Sequence, residues 1–329
     1  MRMLFRSLIV TVLVLFLSGC DEAENTEVVD VPKTVTETDN TSTSPSASDI
    51  KIALVMKTLT NPFFIAMEKG ARRAEKELGI TLVVKTAAQE TSTTQQINII
   101  EKLVREGQVK AIIISPADSV RLIPSLKMAQ DKGIHVINID NKLNSDFAAK
   151  AELNDVPFIS IDNLQSAYLS ARHVAAKITE PVQAALLEGI READNANLRK
   201  DGALRAFAEN PNITVVASET AHWKVDEGYE VTKKMFQNHP DISVLFCAND
   251  MMALGAIEYL RETNRKSVRI ASFDGIDEAR AAIRDGWLDV TIDQQPGEQG
   301  YLGVMLAYRA AMGEKLPPLT MLDGLVITE

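Results

Sequence analysis

Lys51-Ile52-Ala53-Leu54-Val55-Met56-Lys57-Thr58-Leu59-Thr60-Asn61-Pro62-Phe63-Phe64 runs from a strand straight into a helix. Ile52 to Met56 is an unbroken apolar run, as expected of a strand buried on both faces. From Phe64 onward the apolar residues Met67, Ala71, Ala74 and Leu78 recur at helical spacing. Asn61 suits the N-cap and Pro62 the first helical position. A cation, an amide and two aromatic rings therefore collect where strand gives way to helix, the edge at which open α/β sheets bind ligands. The rings offer apolar faces, and Lys57 and Asn61 offer hydrogen-bond donors, a mixture that suits a sugar. A plainer account makes both Phe side chains core and leaves Lys57 solvated, and this segment alone does not decide between them.

The same alternation repeats along the chain. Strands are predicted at Lys51–Met56, Thr81–Thr86, Ala111–Ser115, His135–Asp140 and Phe158–Asp162. A second set follows at Ala184–Glu188, Thr214–Glu219, Val244–Ala248, Arg269–Phe273 and Val290–Asp293. Amphipathic segments separate them; in Thr94–Glu106 the residues Ile97, Ile100, Leu103 and Val104 share a face ahead of Gly107. Such alternation predicts an α/β protein with parallel sheets covered on both faces. Two consecutive sets predict two doubly wound lobes with a ligand cleft between them.

Outward from this region, the N-terminus has the form of an export signal over residues 1–19. Arg2 and Arg6 precede the apolar run Leu8 to Leu17, which is too short to span a bilayer. Leu17-Ser18-Gly19-Cys20 is similar to a bacterial lipobox, in which the cysteine is lipidated and becomes the first mature residue. In a Gram-negative cell, Asp21 after Cys20 resembles the signal that keeps lipoproteins at the inner membrane. The expected location is the periplasm or the outer face of the cytoplasmic membrane, with an anchor at Cys20. Residues 20–48, rich in Thr, Ser, Asp and Glu, are expected to form a disordered tether. Cys247 is the only other cysteine, so with Cys20 lipidated neither a disulfide nor a thiolate metal site is expected. The formal net charge of −10 argues against nucleic acid as a partner.

Motifs for chemistry are missing from the sequence. His135, His173, His222 and His239 are scattered without metal-ligand spacing, and no metal or cofactor is expected. No G-x-S-x-G elbow, phosphate-cradling loop or G-x-G-x-x-G is found. The expected function is binding, not catalysis.

The informative polar residues sit at strand ends. The fourth strand closes in Asn138-Ile139-Asp140-Asn141-Lys142 and the eighth in Cys247-Ala248-Asn249-Asp250. The ninth closes in Phe273-Asp274-Gly275-Ile276-Asp277-Glu278-Ala279-Arg280, and the tenth in Ile292-Asp293-Gln294-Gln295. Each buried hydroxyl of a sugar needs partners of this kind. Taken singly, any of them also fits a turn or an N-cap. Together with Lys57–Phe64 and Leu325–Glu329, these segments resemble the periplasmic sugar-binding proteins of ABC importers, in the ribose-binding group and nearest its allose-binding members. The likeness runs from Ile50 to Glu329 in order.

The resemblance implies a type I periplasmic-binding-protein fold, two α/β lobes joined by three crossovers. Residues 50–161 with 295–322 would form the N-terminal lobe, and 162–294 with 323–329 the C-terminal one. It implies a monomer that closes on a monosaccharide and delivers it to an ABC permease. Matching motifs would place Lys57, Asn61, Phe63, Phe64, Asp140 and Asn141 on one side of the ligand. Arg199, in a loop just before a helix, Trp223, Asn249, Asp274 and Gln294 would complete the site. Phe64 and Trp223 would sandwich the sugar ring. Ribose binders carry a small polar residue at the Lys57 position and Arg at the Asn141 position. Allose binders share Lys57 but have Glu for Asn141 and Trp for Phe64, which leaves the sugar open. A repressor sharing the core would need a DNA-binding segment before Ile50, where the signal and tether stand. A receptor component feeding a chemoreceptor or histidine kinase is the alternative that the lobes themselves do not distinguish.

Overall fold

The structure is a computed structural model that describes residues 49–329. The expected signal peptide, the lipidation of Cys20 and the tether fall on residues 1–48, outside the described residues.

The first sheet is built from β1 (Lys51–Met56), β2 (Thr81–Thr86), β3 (Ala111–Ile114), β4 (His135–Ile139) and β5 (Phe158–Ile161), with β11 (Leu319–Leu322) added at its edge. Its order is β11-β5-β4-β3-β1-β2 and every pairing is parallel. Alternate residues of β1 face opposite sides. Ile52, Leu54 and Met56 pack with α1 (Pro62–Leu78) and α10 (Pro296–Ala311), while Ala53 and Val55 pack with α2 (Thr93–Glu106) and α3 (Ile123–Asp131). Both faces are covered, which is why β1 reads as a continuous apolar run. Helix α1 starts as its sequence predicts. Asn61 Oδ1 accepts from Phe63 N at 3.0 Å, Pro62 opens the first turn, and Gly79 ends the helix at φ +67°. A Cβ at Gly70 would stand 1.7 Å from Gly297 O, so only glycine lets α1 and α10 approach this closely.

The second lobe holds β6 (Val182–Glu188), β7 (Ile213–Thr220), β8 (Ile242–Cys247) and β9 (Arg269–Ala271) in the parallel order β7-β6-β8-β9. Single bridges at Ala271–Val290 and Asp274–Asp293 lead on to β10 (Thr291–Asp293), which pairs antiparallel with β12 (Leu325–Ile327). Its helices are α5 (Asn163–Ala175), α6 (Asp194–Ala208), α7 (Val225–Asn238), α8 (Asp250–Glu262) and α9 (Asp277–Arg284); α4 (Ser145–Lys150) belongs to the first lobe. The predicted strands are all present; β11 and β12 are strands that the sequence pattern did not reveal. Cys247 is buried in β8, and burial pushes its thiol far above its ordinary range, which keeps it inert.

The chain crosses between lobes three times, from β5 to α5, from β10 to α10, and from β11 to β12. In each sheet the strand order reverses at one central strand, β1 between β2 and β3, and β6 between β7 and β8. Loops on either side of such a strand diverge and leave a crevice at its carboxyl end. The two crevices face each other across the cleft.

Candidate functional site

Lys57 leaves the end of β1 and is buried, with 2% exposure, so the account that left it in solvent is overturned. Its Nζ donates to Asp140 Oδ2 at 2.9 Å and lies 5.6 Å from the Phe64 ring centroid. Phe63 and Phe64 meet edge to face at 5.0 Å. They belong to the core beneath α1 and also line the cleft, so both readings of these rings hold. Asp140 follows β4 at φ +64°, a backbone setting that short polar residues tolerate better than most. That turn aims its carboxylate at Lys57, at Ser115 Oγ (2.6 Å) and at Asn195 Nδ2 (3.2 Å).

The opposite wall is organised by Arg199. It lies within α6, not in a loop ahead of a helix as its motif implied. Its Nε donates to Asn163 Oδ1 at 2.8 Å, Nη1 to Ala248 O at 3.0 Å and Asp274 Oδ1 at 3.2 Å, and Nη2 to Gln294 Oε1 at 3.0 Å. The guanidinium sits 3.9 Å from the Phe273 centroid and 5.4 Å from that of Trp223. Gln294 Nε2 donates to Asp274 Oδ1 at 2.6 Å. Asn249 caps α8 by accepting from Met252 N, and its Nδ2 reaches Trp223 O at 3.4 Å. Trp223 is held by a turn in which His222 and Trp223 both have positive φ, 44° and 66°. Two consecutive non-glycine residues there store backbone strain, which packing around the indole must offset.

The charges are crowded: Lys57 and Arg199 against Glu90, Asp140 and Asp274. Burial pushes the Asp274 carboxyl well up and the Arg199 guanidinium down, and the ion pair between them opposes both shifts. Burial also raises Glu90, against the pull of Lys57 and the bond from Asn61. Such perturbed groups collect where a site is built to meet a ligand.

These side chains line one small cavity between the lobes. Lys57, Asn61, Phe63, Phe64, Asp140, Arg199, Trp223, Asn249, Asp274 and Gln294 all line it. Asn141 does not. It is fully buried, its Nδ2 donates to Pro116 O at 3.0 Å, and its Oδ1 accepts from Asn195 N at 3.2 Å. Two lining residues went unforeseen. Glu90, in the loop after β2, accepts from Asn61 Nδ2 at 3.0 Å, and Asn195 stands in the first turn of α6. Asn195 Oδ1 and Trp223 Nε1 are buried polar atoms without a partner in the protein. Buried orphans of this kind call for an explanation, and a ligand supplies one. Among the described residues no cluster of His, Cys, Asp and Glu could hold a metal ion.

A profile described as periplasmic binding protein domain matches residues 52–315. The chain belongs to the periplasmic binding protein family. It is 34% identical to a D-ribose/D-allose-binding protein of Pseudomonas aeruginosa, over 84% of this chain and 86% of that one. It is 30% identical to the D-allose-binding periplasmic protein of Escherichia coli, over 84% and 91% of the two chains. The crystal structure of an ABC transporter periplasmic solute-binding protein from Actinobacillus succinogenes, with bound D-allose, superposes with a TM-score of 0.80 at 35% identity, covering 85% of this chain and 97% of that one. This periplasmic binding protein thus has the two-lobed fold expected from its sequence, and its relatives are solute binders of transporters, not enzymes.

Proposed function

We propose that the chain captures one monosaccharide of the ribose and allose type between its lobes and passes it to an ABC permease. The observation that carries this reading is the small cavity into which ring faces and charged hydrogen-bonding groups converge from both lobes. Phe64 and Trp223 take the apolar faces of the ring, and Asp140, Asp274, Arg199, Asn249 and Gln294 take its hydroxyl edge. Lys57, Asn61, Phe63, Glu90 and Asn195 complete the site. Ligand contacts to both lobes favour the closed form over the open one, and closure completes the surface that the permease meets. The lobe limits 50–161 with 295–322 and 162–294 with 323–329, a monomeric state, and a lipid anchor at Cys20 belong to the same proposal.

Titration calorimetry with D-ribose, D-allose, D-glucose and D-arabinose tests the binding reading. Saturable heat with at least one of them is expected, and silence with all would sink it. The anchor is tested separately by labelling cells with a fatty-acid analogue: Cys20→Ser should lose the label.

A further inference from the structure

Helix α6 begins without a cap of its own. Its N-cap residue is Ala193, which offers no side-chain acceptor, although a helix start leaves four N–H groups without intrahelical partners. The acceptors come from the other lobe. Ser119 Oγ, in the loop after β3, accepts from Asp194 N at 3.0 Å, and Asn141 Oδ1, just beyond β4, accepts from Asn195 N at 3.2 Å. Ser119 N donates back to Glu192 O at 3.1 Å. Asn141 is itself held by the bond from its Nδ2 to Pro116 O.

The capped residue Asn195 is 3% exposed and lines the cavity. Its Nδ2 donates to Asp140 Oδ1, which fixes the amide orientation, because the reversed amide would set two acceptors against each other. Its Oδ1 is then the buried acceptor left without a partner.

We infer that Ser119 and Asn141 form a helix cap across the cleft that exists only when the lobes are closed, and that Asn195, its amide oriented by Asp140, accepts a hydrogen bond from a ligand hydroxyl. Ser119 and Asn141 touch the backbone of the other lobe, not the ligand. Opening strips α6 of these acceptors, so the cap favours closure whatever the ligand is. Removing it reduces the closed fraction and weakens every ligand by one common factor. Asn195 differs, because its acceptor meets one particular hydroxyl. The role of Asn195 rests on the sugar-binding reading; the cap does not.

The experiment combines calorimetry against D-ribose, D-allose and D-glucose with small-angle scattering of the ligand-free protein, for wild type, Ser119→Ala, Asn141→Ala, Asn141→Asp and Asn195→Ala. Ser119→Ala and Asn141→Ala should weaken all bound sugars equally, by roughly threefold to tenfold for a lost hydrogen bond, and enlarge the ligand-free radius of gyration. Asn141→Asp, which keeps the acceptor, should recover part of the loss. Asn195→Ala should change the ratio of affinities between sugars. Ser119→Ala keeps the test open if the buried Asn141→Ala fails to fold. Unchanged affinity and radius in Ser119→Ala, or losses there that differ from sugar to sugar, would overturn the cap. An unchanged ratio in Asn195→Ala would overturn its recognition role. Wild type binding no sugar would defeat the proposed function along with the role of Asn195, and the radius comparison would still judge the cap.

Discussion

The indole of Trp223 lies so close on Gly189 that a Cβ there would stand 2.0 Å from its ring atoms. Gly189 follows β6, and the contact sets how far the aromatic wall can retreat from the cavity. Gly189→Ala must push the indole into the space where the proposed sugar lies or force its strained turn to move. Binding should weaken at least tenfold, with the far-ultraviolet circular dichroism preserved. Wild-type affinity in a folded Gly189→Ala protein would mean that the wall has slack which this packing denies.

Fluorescence separates the two tryptophans. Trp223 lines the cavity, whereas Trp287 packs half-buried at a turn beneath the cations of Arg261 and Lys266. Trp223→Phe should remove most of the sugar-induced emission change yet keep some affinity, since a phenyl ring still stacks. Trp287→Phe should keep the change. A signal lost with Trp287 and retained without Trp223 would contradict the assignment.

Asp274 serves both the proposed ligand and the buried cation of Arg199. Asp274→Ala should weaken binding at least tenfold, since a hydrogen bond to a charged group contributes roughly 1.5–3 kcal/mol. It should also destabilise the fold by about 3 kcal/mol, because removing one partner of a buried pair leaves the other charge uncompensated. Asp274→Asn should lose less stability. Chemical denaturation alongside calorimetry checks both halves, and unchanged stability in Asp274→Ala would show that Arg199 is satisfied without it.

Asp250 gives a pH dependence. Burial raises its carboxyl from 3.8 to about 6, against hydrogen bonds from Ser272, Thr291 and Ile276 N. Between those two values the folded protein holds a proton that the unfolded chain has released, so acid favours the folded state. That contribution is complete below pH 3.8 and is lost as the pH rises through about 6. From about pH 7 to about pH 5, wild type should gain on the order of 1 kcal/mol relative to Asp250→Asn. Urea denaturation at the two pH values measures it; identical pH responses would rule it out.

The strands and the strand-end part of the cavity wall, Lys57, Asp140, Asn249, Asp274 and Gln294, were legible in the sequence for one reason, whereas Arg199 and Trp223 entered only through the family resemblance. Strands buried on both faces read as apolar runs, and the polar residue that ends each run is delivered to the crevice by topology alone. What escaped depends on loops brought together from far along the chain. Glu90 lies in a run of polar residues, Gln89-Glu90-Thr91-Ser92, that looks solvated, and its burial comes from Asn61 on another loop. Asn141 carries the right chemistry at a strand end, but the left-handed turn at Asp140 sends the two neighbouring side chains to different destinations. Strand β11 is an edge strand with Leu319 and Met321 exposed, so no burial pattern marks it.

Arg199 is bonded to Asn163 and Gln294, which flank two of the three crossovers, as well as to Asp274. Recognition and articulation are thereby vested in the same guanidinium. A lineage that altered Arg199 to accept a different sugar would disturb, in the same mutation, how easily the molecule bends. Glu90, whose bond runs to Asn61 within its own lobe, carries no such double duty. Divergence in ligand preference has a freer path through Glu90 than through Arg199.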